Sequence, residues 1–420
     1  MKHPFTRRFF SVALALCGAG CAADTDALPP TTKAKPVTAG AASYDYHLYI
    51  ENSGSLNGYL NASGDSSFKS NVYDFIARIS NLPSKRSLSL YDVNTVTIPV
   101  AVNATAEQVD RYLSQLDAKT FSARSKAGKG DQSKSDLGAI IKNLLGNTKG
   151  QELRLLITDG IFSPGKNKDA LDYLSRQRSS LQLHMGDQLR RQALSILVLQ
   201  YSSGFKGRYY YQDNSAKDGV FKDRPYYIIC IGPEAGLQQL LSLAQQRKQL
   251  HNVLFLTERA TYDVAPRILN YPGYYDYDPE EKLTVKEMVA GDNDHRYRIK
   301  LGMTLAALPL DAAYLLDKNN YSAGSGYRVE SVRSAPQQKS THEIILVADK
   351  PIQGKVQLVL KRQMPSWVLA GNLDTDKGLP PESLAGKTFG IRYLLEGMYQ
   401  AYAAHINQPY FFTVTISIKK

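Results

Sequence analysis

One short stretch concentrates side-chain oxygens: Glu51-Asn52-Ser53-Gly54-Ser55. It follows directly on Leu48-Tyr49-Ile50, an apolar run that reads as a strand broken by Asn52 and Gly54. A carboxylate and two hydroxyls at alternate positions are hard donors, suited to Mg²⁺ or Ca²⁺ rather than to a soft metal. The same residue types also build an ordinary polar turn, so this stretch alone leaves both readings open. A second stretch, Leu153-Arg154-Leu155-Leu156-Ile157-Thr158-Asp159-Gly160, is nearly unbroken apolar sequence ending in Asp-Gly, typical of a strand buried on both faces. Ligands in open α/β sheets bind at the carboxyl ends of the strands, so Asp159 is expected at the same edge as Ser53 and Ser55. Between the two lies Ser135, a hydroxyl at an expected helix N-cap, followed by apolar residues at helical spacing up to Leu145.

Taken in order, strand-Glu-x-Ser-x-Ser, a hydroxyl opening a helix, and strand-Thr-Asp-Gly resemble the von Willebrand factor A (vWA) domain family. The resemblance covers residues 44–260, roughly half the chain. It implies a metal-ion-dependent adhesion site in which Ser53 and Ser55 ligate the ion directly. Ser135 stands where the family usually has Thr, and Asp159 binds through the metal or its water. Glu51 stands in the usual Asp position. That is a departure: its extra methylene moves the carboxylate by roughly 1.5 Å, about one helical rise, and Mg²⁺ tolerates such shifts poorly. The implied ion is Mg²⁺, with Ca²⁺ or Mn²⁺ as alternatives.

The elements that must position these residues alternate between strand and helix. Residues 68–79 and 106–116 carry apolar side chains at helical spacing, and 88–93, 95–102, 194–200, 226–231 and 253–257 read as strands, the first two as an antiparallel edge. This pattern predicts an α/β, vWA-like doubly wound and mostly parallel sheet flanked by helices. Two loops fall near the expected site. Residues 119–134 carry Lys119, Arg124, Lys126, Lys129 and Lys134, which would either draw an acidic ligand or form a solvated face. Residues 204–225 contain Arg208, Tyr209, Tyr210 and Tyr211, types enriched at interface hot spots. They read as a partner-binding patch or as a hairpin whose tyrosines pack on the domain itself. Residues 261–290 read as a Tyr- and Pro-rich connector. Residues 291–420 read as a β-sandwich-like domain with one helix at 389–404, its apolar stripe buried in a core.

The 420-residue chain is 43% hydrophobic and 21% charged, globular in composition and long enough for more than one core. Its start combines Arg7-Arg8, a short apolar run and Gly18-Ala19-Gly20-Cys21, which reads as a lipoprotein-type export signal over residues 1–20 and is too short to span a bilayer. Cys21 is the expected lipidation site, and residues 21–43, rich in Ala, Thr, Pro and Lys, read as a flexible linker. With Cys17 removed and Cys21 acylated, Cys230 is the remaining thiol, expected as a core residue rather than a nucleophile. The net charge of +12 favours acidic partners or anionic surfaces. No nucleic-acid motif, phosphate loop, Gly-x-Ser-x-Gly elbow or His-x-x-x-His spacing occurs. The expected function is therefore not enzymatic. It is an exported, membrane-anchored envelope module that binds a protein partner, whose acidic side chain completes the ion's shell. The alternative is a metal-free degenerate vWA scaffold, and a metal-dependent hydrolase ranks last.

Overall fold

In the strand Tyr44–Glu51 (β1), the side chains of Tyr44, Tyr46, Leu48 and Ile50 enter one core cluster and Tyr49 enters another. That two-residue alternation marks a strand with helices on both faces. The computed structural model describes residues 42–61, 67–134, 136–164, 169–246, 249–306, 308–335, 340–350 and 352–419. The export signal, Cys21, nearly all of the linker and Ser135 lie outside the described residues. From Ala41 onward the chain forms one compact unit.

β1 is an inner strand of a seven-stranded sheet with Lys85–Val93 (β2), Thr97–Ala101 (β3), Glu152–Thr158 (β4), Ser195–Tyr210 (β5), Ala216–Gly232 (β6) and Leu250–Leu256 (β7). The spatial order is β3-β2-β1-β4-β6-β5-β7. β1 pairs in parallel with β2 and β4, and the remaining neighbours are antiparallel. The sheet is therefore mixed, with β1, β2, β4 and β5 running in one direction. Of the two readings of segment 204–225, the structure has the hairpin. Residues 226–231 are not reached by a crossover helix but form the return arm of a long β5–β6 hairpin, paired from Ser195↔Gly232 to Tyr210↔Ala216. A short connection can join only antiparallel neighbours.

Among the described residues seven helices accompany this sheet: Asn57–Leu60 (α1), Ser67–Ser80 (α2), Ala106–Ser114 (α3), Ala118–Ala127 (α4), Leu137–Asn147 (α5), Ala170–Arg191 (α6) and Glu234–Gln245 (α7). The stripe Phe68, Val72, Ile76 and Ile79 buries α2 on one face of the sheet, together with Leu237 and Leu240 of α7. On the other face lie Ile141 and Leu145 of α5 and Leu174, Leu181 and Met185 of α6. The helix α5 starts one residue later than expected. Asp136 is its N-cap, its carboxylate accepting the Ala139 N–H at 2.9 Å.

The later chain adds Ala312–Leu316 (α8), Ser366–Ala370 (α9) and Ile391–Ile406 (α10), plus two four-stranded sheets. One sheet contains Tyr297–Met303 and His342–Ala348, the other Gly354–Lys361 and Tyr410–Ile418. Ile299, Leu301, Ile344 and Leu346 from the first share a core with Val356, Leu358, Val414 and Ile416 from the second. The helix expected within this β-rich half goes elsewhere. Leu394, Leu395, Met398 and Tyr402 of α10 join the core beneath α6, and the Tyr402 hydroxyl donates to the Leu194 carbonyl at 2.7 Å. At Gly397 the two helices approach so closely that a Cβ would stand 2.6 Å from the Arg178 carbonyl oxygen. Residues 44–260 therefore do not complete the α/β layers by themselves. Leu394→Ala is expected to cost about 2–5 kcal/mol in urea unfolding, and a chain ending at residue 260 is expected to expose this face and fail to fold cooperatively by circular dichroism.

Candidate cation site at the carboxyl edge of the sheet

The parallel register Ile50↔Ile157 brings the ends of β1 and β4 side by side. Glu51 is buried there, and its Oε2 accepts a hydrogen bond from the Thr158 hydroxyl. The Thr158 oxygen in turn accepts the Gly160 N–H at 2.9 Å, and Asp159 Oδ1 accepts the Ile161 N–H at 3.2 Å. Asp159 is 1% exposed, and its Oδ2 has no hydrogen-bond partner among the described residues. Burial pushes the Asp159 carboxyl up from its ordinary value, while the Ser55 hydroxyl and the positive charge of Arg224 favour its ionised form. The Ser55 hydroxyl thus faces Asp159 without making a well-formed bond to Oδ2, and lies 3.0 Å from the Ser53 hydroxyl. The structure brings Glu51, Ser53, Ser55 and Asp159 to one edge.

Asn52 holds the first loop in place. It is fully buried and donates to Asp92 Oδ2 at 3.3 Å and to the Phe121 carbonyl at 2.9 Å, while accepting from the Gln132 amide. The Gly54 N–H donates to the Gln132 carbonyl at 2.9 Å. Asp92, also buried, is paired with Arg124 at 2.6 Å and accepts from the Tyr112 hydroxyl at 3.2 Å. The Arg124 guanidinium lies 4.9 Å from the Phe121 ring centre. Arg124 is thus an internal anchor rather than a steering charge, and much of the expected basic loop is the helix α4.

Glu51, Ser53 and Ser55, but not Asp159, line a cleft of about 190 Å³, together with Gln132, Lys134 and Tyr210 among others. A wider groove of about 600 Å³ shares Ser133, Lys134, Ser163 and Asn214 with it. The tyrosine patch expected beside the site is not an exposed cluster. Tyr209 is buried and donates to Asp376 Oδ2 at 2.6 Å, and Tyr211 is buried with its hydroxyl on the Leu379 carbonyl at 3.0 Å. Arg208 stays on the surface near Asp218. Tyr210 alone of the four lines the cleft, with its ring standing over Gly54. The hairpin alternates its side chains, so Tyr209 and Tyr211 turn inward together.

Arg224, which the sequence offers only as one more basic residue of the 204–225 segment, is an internal residue. Arg224 is fully buried and donates from Nη1 to the carbonyls of Leu384 at 3.1 Å and Lys387 at 2.8 Å. Its guanidinium lies 4.7 Å from the Tyr209 ring centre, and Nε and Nη2 have no hydrogen-bond partner among the described residues. The antiparallel pair Thr158↔Tyr227 runs the residues after Thr158 alongside those before Tyr227, so Arg224 arrives near Asp159. The only sequence hint is an arginine set immediately before the long apolar run 225–231.

Among the described residues no group of three or more His, Cys, Asp or Glu side chains could hold a metal. A cation here would have to combine the serine hydroxyls with the two carboxylates. No family model, curated protein or solved structure matches this chain.

Two outcomes are expected. Asn52→Ala leaves several buried groups unpaired and should cost about 3 kcal/mol in urea unfolding. The native protein also holds the Asp159 proton to higher pH than the unfolded chain does. In chelator this group's contribution to stability therefore falls as pH rises from the ordinary carboxylate range to the raised native value. Asp159→Asn should remove that part of the slope, read as the difference between the two proteins' stability–pH curves.

Proposed function

We propose that this protein is a divalent-cation-dependent binding module of the vWA type. It acts at a bacterial envelope, anchored through a lipid on Cys21, and takes an acidic side chain of a protein partner. The observation that carries the reading is the orphaned, fully buried Asp159 Oδ2 beside the paired Ser53 and Ser55 hydroxyls. Buried acceptors are almost always satisfied, and a hard cation supplies what this one lacks. Ser53, Ser55 and Asp159 would hold the ion, with Glu51 in its outer surroundings. The bound ion would supply an open coordination position for a partner's carboxylate. Asn52 fixes the loop, Tyr210 walls the cleft, and the adjoining groove gives a partner segment room to lie along the edge.

A second reading is a metal-free scaffold. Arg224 favours it, because a buried guanidinium near Asp159 supplies positive charge where an ion otherwise would. The hydrolase reading has no comparable support: Cys230 is buried in the core, and burial holds its thiol protonated.

Thermal melts separate the first two. On the binding reading, millimolar Mn²⁺, Mg²⁺ or Ca²⁺ raises the melting temperature by several degrees over chelator, since an ion at 100 times its Kd adds about 2.7 kcal/mol. The shift should vanish in Asp159→Ala and shrink in Ser53→Ala. No shift with any ion would leave the scaffold. The gain should also grow as pH rises above the ordinary carboxylate range, because the ion must displace the proton that burial holds on Asp159.

A further inference from the structure

We propose that Arg224 is the resident counter-charge of the Asp159 carboxylate and weakens the site's affinity for a divalent cation. The inference rests on the cation-site reading and adds the residue that sets its strength. Three observations converge on it. Arg224 and Asp159 are both fully buried, a state that charged groups adopt only with compensation nearby. Each keeps unsatisfied polar atoms, Oδ2 on Asp159 and Nε and Nη2 on Arg224, and the two make no direct ion pair. The β4–β6 register carries them to the same end of the sheet. Charges in a low-dielectric interior act over several ångströms without contact, so the guanidinium stabilises the ionised carboxylate and repels an arriving cation together.

Arg224 is not free to swing away. Its Nη1 is tied to Leu384 and Lys387, Tyr209 stacks against it, and Tyr59 donates to the carbonyl of neighbouring Pro225. The Leu384 and Lys387 carbonyls belong to the strap between Asn372–Leu373 and Thr388–Phe389, which leads into α10. The C-terminal half therefore fixes where this charge sits.

The test uses the full chain. Mn²⁺ binding is measured by calorimetry for wild type, Arg224→Gln and Arg224→Met, with folding checked in chelator. The proposal expects both neutral variants to bind Mn²⁺ at least about tenfold more tightly than wild type, although they are less stable in chelator. A merely structural role would loosen the site and weaken binding. Equal or weaker binding in both variants overturns the proposal while leaving the cation site standing. Binding that appears only in the variants supports it and shows that the wild-type site is held closed to ions. No binding in any of the three overturns both readings. Should neither neutral variant fold, Arg224→Lys keeps the charge and should bind Mn²⁺ within twofold of wild type; a tenfold change there counts against the proposal.

Discussion

The parallel pairing of β1 with β4 is the constraint on which the rest of the site depends. Because Ile50 faces Ile157, the carboxylate that ends one strand meets the Thr-Asp-Gly that ends the other. A slip of one residue would turn every side chain to the opposite face. The register is held by apolar alternation: Leu48, Ile50, Leu155 and Ile157 pack into one core and Tyr49 and Leu156 into the other. Neither face tolerates inversion, so the oxygens arrive at the edge together.

Burying charge is what such an arrangement costs. Two internal carboxylates, Asp92 near the end of β2 and Asp159 just after β4, are compensated differently. Asp92 is met directly by Arg124, Tyr112 and Asn52, and the network serves to hold the loop that carries Ser53 and Ser55. Asp159 has one oxygen satisfied by a backbone N–H and the other by nothing among the described residues. The first is a structural anchor. The second is the kind of under-satisfied group that marks a place where something binds. Removing either partner of the Asp92–Arg124 pair would leave a charge stranded in the interior, so the pair is worth more as an indivisible unit than its distance suggests.

Much of this was legible in the sequence because two apolar runs end abruptly on oxygen-bearing residues. The strand ends fix Glu51, Ser53 and Asp159 at one edge from periodicity alone. The amphipathic stripes of α2 and α10 are equally plain as stripes. What a stripe cannot say is which surface it meets, so α10 reads as part of the β-rich half and lies against α6 instead. The segment 204–225 leaves a recognition loop and a hairpin open because its glycines and lysines dilute the signal. Its alternation is nevertheless present: Phe205, Tyr209 and Tyr211 are buried on the outward arm, with Phe221 on the return. The burial of Arg224 was illegible for a different reason. An arginine is buried only where acceptors are waiting, and its acceptors come from carbonyls about 160 residues later in the chain.

That long-range tie gives the two halves of the chain a common dependence. The strap that receives Arg224 also receives the Tyr227 hydroxyl on Thr388 at 3.1 Å and the Tyr209 hydroxyl on Asp376. Tyr227 packs directly against Gly160, whose positive φ of 73° turns the loop carrying Asp159, and a Cβ there would strike the Tyr227 ring at 2.8 Å. The loop is therefore shaped by a tyrosine that the strap holds, and the nearby charge sits on an arginine that the strap holds. A displacement of residues 371–390 would alter the shape and the electrostatics of the site together. The C-terminal half need not touch a ligand to govern how the edge of the sheet receives one.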